Sequence, residues 1–238
     1  MKSFLLLAAT IILLYSCNYI RGERVRGNGN MITQDRNPGN FSGVVASGSF
    51  DVHITTGTNQ LKIEGEDNIL PYIETIVENN TLKISTKEGY WLKPKRDITI
   101  YVSAPDYQNV EVHGSGNIIG DNTINSNNSL DVEIHGSGDI RMDVHAPKVQ
   151  ATISGSGSIR LGGETTVFDG EINGSGDIKA YDMKAAESKV EIGGSGTAEV
   201  SAANKLNVEV NGSGDVRYRG NPQVSSNIRG SGSVVKRD

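Results

Sequence analysis

Gly-Ser-Gly occurs seven times in this chain, beginning at Gly114, Gly136, Gly155, Gly174, Gly194, Gly212 and Gly230, at intervals of 22, 19, 19, 20, 18 and 18 residues. No other feature restricts the fold as tightly. A unit near 20 residues is too short to bury an apolar face of its own, so units must stack and share one core. The residues two places outside each motif give the element type. Val112, Ile134, Ile153, Ile172, Ile192, Val210 and Ile228 stand before the motifs, and Ile118, Ile140, Ile159, Ile178, Ala198, Val216 and Val234 stand after them. All but Ala198 are β-branched, and polar residues alternate with apolar ones on both sides. Period-two alternation with β-branched residues is the pattern of a strand with one buried face. Each Gly-Ser-Gly is therefore expected to be the corner between two strands, glycine being the residue that lets successive corners nest.

The expected architecture is an all-β, right-handed parallel β-helix, the hand following the general rule for parallel crossovers. A β-sandwich with glycine turns is the competing solution, but it does not require identical corners at constant spacing. Composition agrees with a strand-built core. The chain has 238 residues, 36% hydrophobic but only 5% aromatic, and the repeated motifs supply 14 of its 29 glycines. The excess of glycine is thus patterned and does not signal low complexity.

In-register stacking has consequences for the outer surface. The residue after each motif runs Asn117, Asp139, Ser158, Asp177, Thr197, Asp215, Ser233. From Asp139 onward, carboxylates alternate with hydroxyls, which separates like charges by two strand spacings of ~4.8 Å. An outward position ahead of each motif runs Glu111, Glu133, Thr152, Glu171, Glu191, Glu209, Asn227, and the far side carries Arg141, Arg160, Lys179 and Arg217. These columns read as a solvated, charge-balanced surface; a charged groove for a polymeric ligand is the sharper reading.

Four segments follow from the sequence. Residues 1–16 read as a signal peptide, with Lys2 ahead of an apolar run from Phe4 to Leu14 that is too short for a transmembrane helix. Leu14-Tyr15-Ser16-Cys17 resembles a bacterial lipobox, although Tyr15 is bulky for its place, and it makes Cys17 the expected lipid-attachment residue. The chain has a single cysteine, so no internal disulfide can form. Residues 17–40 then read as the lipidated cysteine and a polar tether with room for one short strand. Residues 41–108 form an irregular N-terminal β region that caps the coil stack, with Asn79-Asn80 as a hairpin turn and Ala46-Ser47-Gly48-Ser49-Phe50 as a degenerate corner. Residues 109–238 form the repeat β-helix.

Signals for chemistry are few. The net charge of −5 speaks against nucleic acid as a partner. No P-loop, HExxH, GxSxG or CxxC is present, and no cofactor is implied. One glycine cluster per coil does not fit a nonapeptide calcium repeat, and carboxylates two rungs apart do not supply six oxygens. His113 and His135 hold one repeat position on consecutive coils; with Glu111 and Glu133 they form a patch of transition-metal ligand types, or else an ordinary polar ladder, since later coils place Ser154, Asn173 and Asn211 there. Tyr90, Trp91, Lys93, Lys95 and Arg96 make up an aromatic and basic cluster that interrupts the strand pattern and holds the sole tryptophan. The plainer reading is that Trp91 folds back as a cap on the stack; if the chain has a specific ligand site, for a glycan or an envelope protein, this loop is where it is expected.

The runs FSGVVASGSFDVHITTG, EDNILPYIET, LKIST and VEVHGSGNI, followed by the later Gly-Ser-Gly units, resemble the head GIN domain family, which carries an auto-transporter adhesin label. The resemblance covers about residues 41–220. It implies a β-helical envelope protein, commonly a lipoprotein of Gram-negative bacteria, and it brings no catalytic residues. A translocator barrel needs 8 or more strands, for which the sequence after the last motif has no room, so an anchored protein is expected, not an autotransporter. The expected place is the outer membrane, periplasm-facing or at the cell surface, with the lipid anchor as membrane contact. The chain is read as a non-enzymatic binding or adhesin-like module. Two other classes compete with it. A polysaccharide-processing β-helix enzyme should break its repeat where catalytic groups gather, and no such break occurs. A self-assembling scaffold could pair two copies through the C-terminal edge, where NIRGSGSVVKRD shows no cap.

Overall fold

The computed structural model describes residues 22–237. The signal peptide and Cys17 lie outside the described residues. The chain forms a β-solenoid in which strands of one coil pair parallel with those of the next. Eight glycines stand in register along one column: Gly48, Gly114, Gly136, Gly155, Gly174, Gly194, Gly212 and Gly230. The degenerate corner at Gly48 is thus the first member of the column. Strands end on the first glycine of each motif, the chain bends at the serine, and the next strand starts after the second glycine.

The two glycines do different work, as one coil shows. Gly155 has φ +141, and a Cβ there would lie 2.1 Å from the carbonyl oxygen of Gly136 on the preceding coil. That oxygen accepts the backbone N–H of Ser156 at 2.9 Å. Gly157 has no unusual φ; a Cβ there would lie 2.3 Å from the Gly138 oxygen and 2.8 Å from Cγ2 of Ile134. The β-branched residue ahead of one motif therefore fills the space left by the second glycine of the next. The backbone of the preceding coil excludes a Cβ at both glycines; the first is fixed also by its positive φ, and the second also by core packing.

The core is a continuous column of aliphatic side chains, among them Val112, Ile134, Ile153, Ile172, Ile192 and Val210, all essentially inaccessible. Its polar exterior is stacked as the alternation requires: Asp139 pairs with Ser158, Ser158 with Asp177, Asp177 with Thr197, Thr197 with Asp215 and Asp215 with Ser233. At the last rung Ser233 Oγ donates to Asp215 Oδ1 at 2.6 Å.

The N-terminal region caps the stack. Thr81–Thr86 lies parallel to Gly43–Gly48, and Thr99–Ala104 parallel to Asp51–Thr56, making an outermost coil. Antiparallel strands close it: Ile73–Glu78 pairs with Thr81–Thr86 through Asn79 and Asn80, both at positive φ, and Gln60–Glu66 pairs with Thr99–Ala104. Among the described residues 22–40 there are two strands where room for one was expected. Glu23–Arg26 pairs parallel with Tyr90–Lys93, and Met31–Arg36 pairs antiparallel with Gln60–Glu66. Much of the expected tether is therefore built into the cap. The reason is edge pairing: both strands have exposed side chains, so no periodic apolar face announced them. At the other end, the whole Gln223–Gly230 strand is exposed.

Candidate ligand-binding site

On the outermost coil, residues 86–98 stand where the next coil has Gly48-Ser49-Phe50. Among the described residues this is the one place in the column where a long segment replaces the tight bend. The loop carries the Tyr90–Lys93 strand, which docks on Glu23–Arg26: Arg24 opposes Trp91, and the Glu23 N–H donates to the Gly89 carbonyl at 2.7 Å. Strand alternation then sorts the cluster. Tyr90 turns inward and packs against Tyr72 with ring centroids 4.5 Å apart and the rings tilted by 47°, and Leu92 packs against the core. Trp91 turns outward and is 59% exposed, so it does not fold back as a cap.

A buried carboxylate fixes the base of this loop. Glu66 is fully inaccessible, and its Oε2 accepts the Lys95 backbone N–H at 2.8 Å while Oε1 accepts the Gly29 N–H. One side chain thereby ties the loop to the turn between the two N-terminal strands. Sequence reasoning gave no role to Glu66; its neighbours in QLKIEGED offer no signal that distinguishes it from any other strand-end acid.

Beneath the loop lies a cleft of about 940 Å³. Tyr90, Trp91, Leu92 and Pro94 form its upper wall. Its floor is the start of the glycine column, where Phe50 is buried. Ser47, Ser49, Ser85, Ser115 and Thr86 contribute hydroxyls, and Asp51, Asp97, Lys87 and Glu88 contribute charge. Of the expected cluster, the structure brings Tyr90 and Trp91 into the cleft. Lys93, Lys95 and Arg96 are exposed and do not line it. The serines were missed because they come from different coils, and only the register of the parallel strands gathers them.

A second group is the Glu/His patch. His113 pairs in register with His135 and Glu111 with Glu133, as the repeat position implied. The imidazole centroids are 4.9 Å apart, nearly perpendicular. His113 Nε2 lies 2.9 Å from Glu111 Oε2, and His135 Nε2 lies 3.1 Å from Glu133 Oε2.

A family model described as "Putative auto-transporter adhesin, head GIN domain" matches residues 40–222. The chain belongs to the head GIN domain family. Among solved structures, this GIN domain chain is similar to a putative adhesin of Bacteroides fragilis NCTC 9343, with TM-score 0.84 and 24% identity over 89% of this chain and 99% of that one. It is similar also to a putative lipid binding protein of Parabacteroides distasonis ATCC 8503, with TM-score 0.76 and 26% identity over 91% and 100% of the two chains. A putative adhesin of the same organism gives TM-score 0.72 and 24% identity over 90% and 100%. No curated protein matches the chain. The family description points to the cell envelope or surface, and among the described residues no helix is long and apolar enough to cross a membrane.

Proposed function

We propose that this GIN domain is a non-enzymatic binding module of the Gram-negative cell envelope, held at the outer membrane through lipid on Cys17, and that its cleft takes a glycan. One observation carries the ligand class: an exposed indole stands over a cleft lined with hydroxyls and carboxylates from three coils. A sugar ring presents an apolar C–H face and a rim of hydroxyls. Trp91 offers a flat apolar surface to the first, and the serines, Asp51 and Asp97 offer donors and acceptors to the second. The supporting scaffold is rigid, since the floor is the glycine column and the wall is pinned by Glu66.

The adhesin descriptions of the family and of its structural neighbours agree with a binding role without catalysis. The neighbour named for lipid binding raises a second reading, in which the same aromatic wall takes an acyl chain. The hydroxyl-rich lining favours the glycan. The test is a glycan array, with dispersed lipids as competitors, comparing the full chain with Trp91→Ala and Asp97→Asn. Glycan binding that falls at least tenfold in Trp91→Ala is expected. Binding that survives both substitutions unchanged would refute the cleft, and competition by lipid alone would move the ligand class.

A further inference from the structure

We propose that His113, His135 and Glu111 form a surface site for a divalent transition-metal ion of the zinc type, with Glu133, against His135, as the fourth donor and second oxygen. Ligand atoms of Glu111, His113 and His135 all lie within 4.8 Å of one another. Donors on one zinc ion stand ~3.4 Å apart in a tetrahedron, given bonds of 2.0–2.1 Å, so closure needs movements of ~1 Å. Side-chain rotation supplies that, because both imidazoles are close to half exposed.

The arrangement is more than two acids near two imidazoles. Parallel register places the same Glu-x-His pair on adjacent strands, so both imidazoles and both carboxylates project from one face at one strand spacing. The rungs on either side leave room. Ser47 stands next to His113 and Ser154 next to His135, so no large side chain competes for the space. Asn109 Nδ2 donates to Oε1 of Glu111, which leaves Oε2 toward His113. A partner that holds one carboxylate oxygen while the other faces the ion is the usual support of a metal ligand. Two nitrogen donors select zinc, copper or nickel over calcium and magnesium, which take oxygen. The ion would lie beside the rim of the cleft, since Gly114 and Ser115 line it and follow His113 directly.

Later coils supply the control. There the same face carries Glu171 with Asn173, whose Nδ2 donates to Glu171 Oε1 at 2.7 Å, and Glu209 with Asn211. Asparagine thus fits this rung, keeps the carboxylate contact and gives up the imidazole nitrogen. If the histidines serve only as donors in a polar ladder, His→Asn is silent in every assay.

The experiment is calorimetric titration of the tag-free full chain in mild detergent with Zn²⁺ alone, followed by Co²⁺ absorption to report nitrogen ligation. One zinc per chain is expected, weakened at least tenfold in His113→Asn and in His135→Asn, and lost in the double variant. His145→Asn, at an exposed position elsewhere, should bind as the parent does. Thermal melting of each variant in the absence of metal should match the parent, which separates lost ligation from lost folding. No zinc binding by the parent, equal binding by the double variant, or equal affinity for Ca²⁺ would each overturn the site.

Discussion

Alanine at Gly155 tests the stacking rule where it is strictest. Two costs add. The residue sits at φ +141, a region that side chains rarely enter, at ~1–3 kcal/mol for a non-glycine residue. The new Cβ also meets the Gly136 oxygen at 2.1 Å, against a normal contact of 3.0 Å or more. The contact is backbone on backbone, so neither side can rotate away. Relief requires the two coils to part by about 1 Å at this rung, which weakens the Ser156 N–H bond to that oxygen, worth ~1 kcal/mol, and loosens the aliphatic contacts below it. The sum is roughly 3–5 kcal/mol, or a fall of ~6–20 °C in melting temperature for a domain of this size. Three comparisons sharpen the result. Ser156 is exposed at the tip of the same bend, and Ser156→Ala should stay within ~0.5 kcal/mol. Gly157→Ala carries no φ cost, but its Cβ meets the Gly138 oxygen at 2.3 Å as well as Ile134 Cγ2 at 2.8 Å, so ~2–3 kcal/mol is expected, below Gly155 by the missing φ cost. Gly230→Ala has the same local geometry, φ +136 and 2.0 Å to the Gly212 oxygen, but lies on the exposed last coil. There the strand can fray away from its single neighbour, so less than half the Gly155 penalty is expected. Urea unfolding of the four variants reads these values. A Gly155→Ala cost below 1 kcal/mol, or equal costs at Gly155 and Gly230, would refute the claim that coil-to-coil approach fixes the glycines.

Three other outcomes follow from the structure. Tyr107 is buried, its hydroxyl donates to the Thr55 carbonyl at 3.0 Å, and burial pushes its pKa well above the usual tyrosine range. Its contribution is therefore complete below the unfolded pKa of ~10 and is lost as pH climbs from there toward the folded value. Tyr107→Phe should cost ~1 kcal/mol at pH 7, and the gap to the parent should narrow between pH 10 and 11.5 in a pH series of melts. Glu66→Ala should leave the Lys95 and Gly29 N–H groups without a buried acceptor, so hydrogen exchange at residues 86–98 should speed up while the glycine column stays protected. Ser158→Asp would put three carboxylates on consecutive rungs with Asp139 and Asp177; a loss of ~1–2 kcal/mol is expected, shrinking in high salt and vanishing below pH 3.

The stacked part of this protein is legible in its sequence because it obeys one local rule many times. Period two gives the strands, the interval gives the coil, and the alternation of Asp with Ser or Thr gives the register before any coordinate is seen. His113 and His135 could be placed side by side for the same reason. The cap escapes this reading. Glu23–Arg26 and Met31–Arg36 are strands only because an edge is there to receive them; Val25, Met31 and Ile32 are too few and too irregularly placed to make a periodic apolar face. The cleft escapes in part. Tyr90 and Trp91 announce themselves by composition, but Ser47, Ser85 and Ser115 come together only through pairing between coils. Lys93, Lys95 and Arg96 look like site residues by proximity in sequence, yet they are exposed and fall outside the lining.

The same packing that makes the fold regular limits where specificity can arise. Within the column, each motif must keep both glycines, since both touch the backbone of the coil before them and the second also makes room for a β-branched side chain. Inward positions must stay aliphatic to fill the core. Two kinds of position remain free. Outward residues can vary in charge and ligand type without disturbing a neighbour's backbone, which is how a Glu-x-His pair can replace Glu-x-Asn on two rungs alone. The outermost coil has no further coil to nest against on its far side, so its crossing can lengthen from Gly48-Ser49-Phe50 to residues 86–98 without a clash. The long loop, the exposed tryptophan and the cleft therefore occur at the end of the stack where no preceding coil meets the corner, whereas Gly230 on the last coil still meets the Gly212 oxygen. A binding module on this scaffold has that end, and the outward columns beside it, in which to place its chemistry.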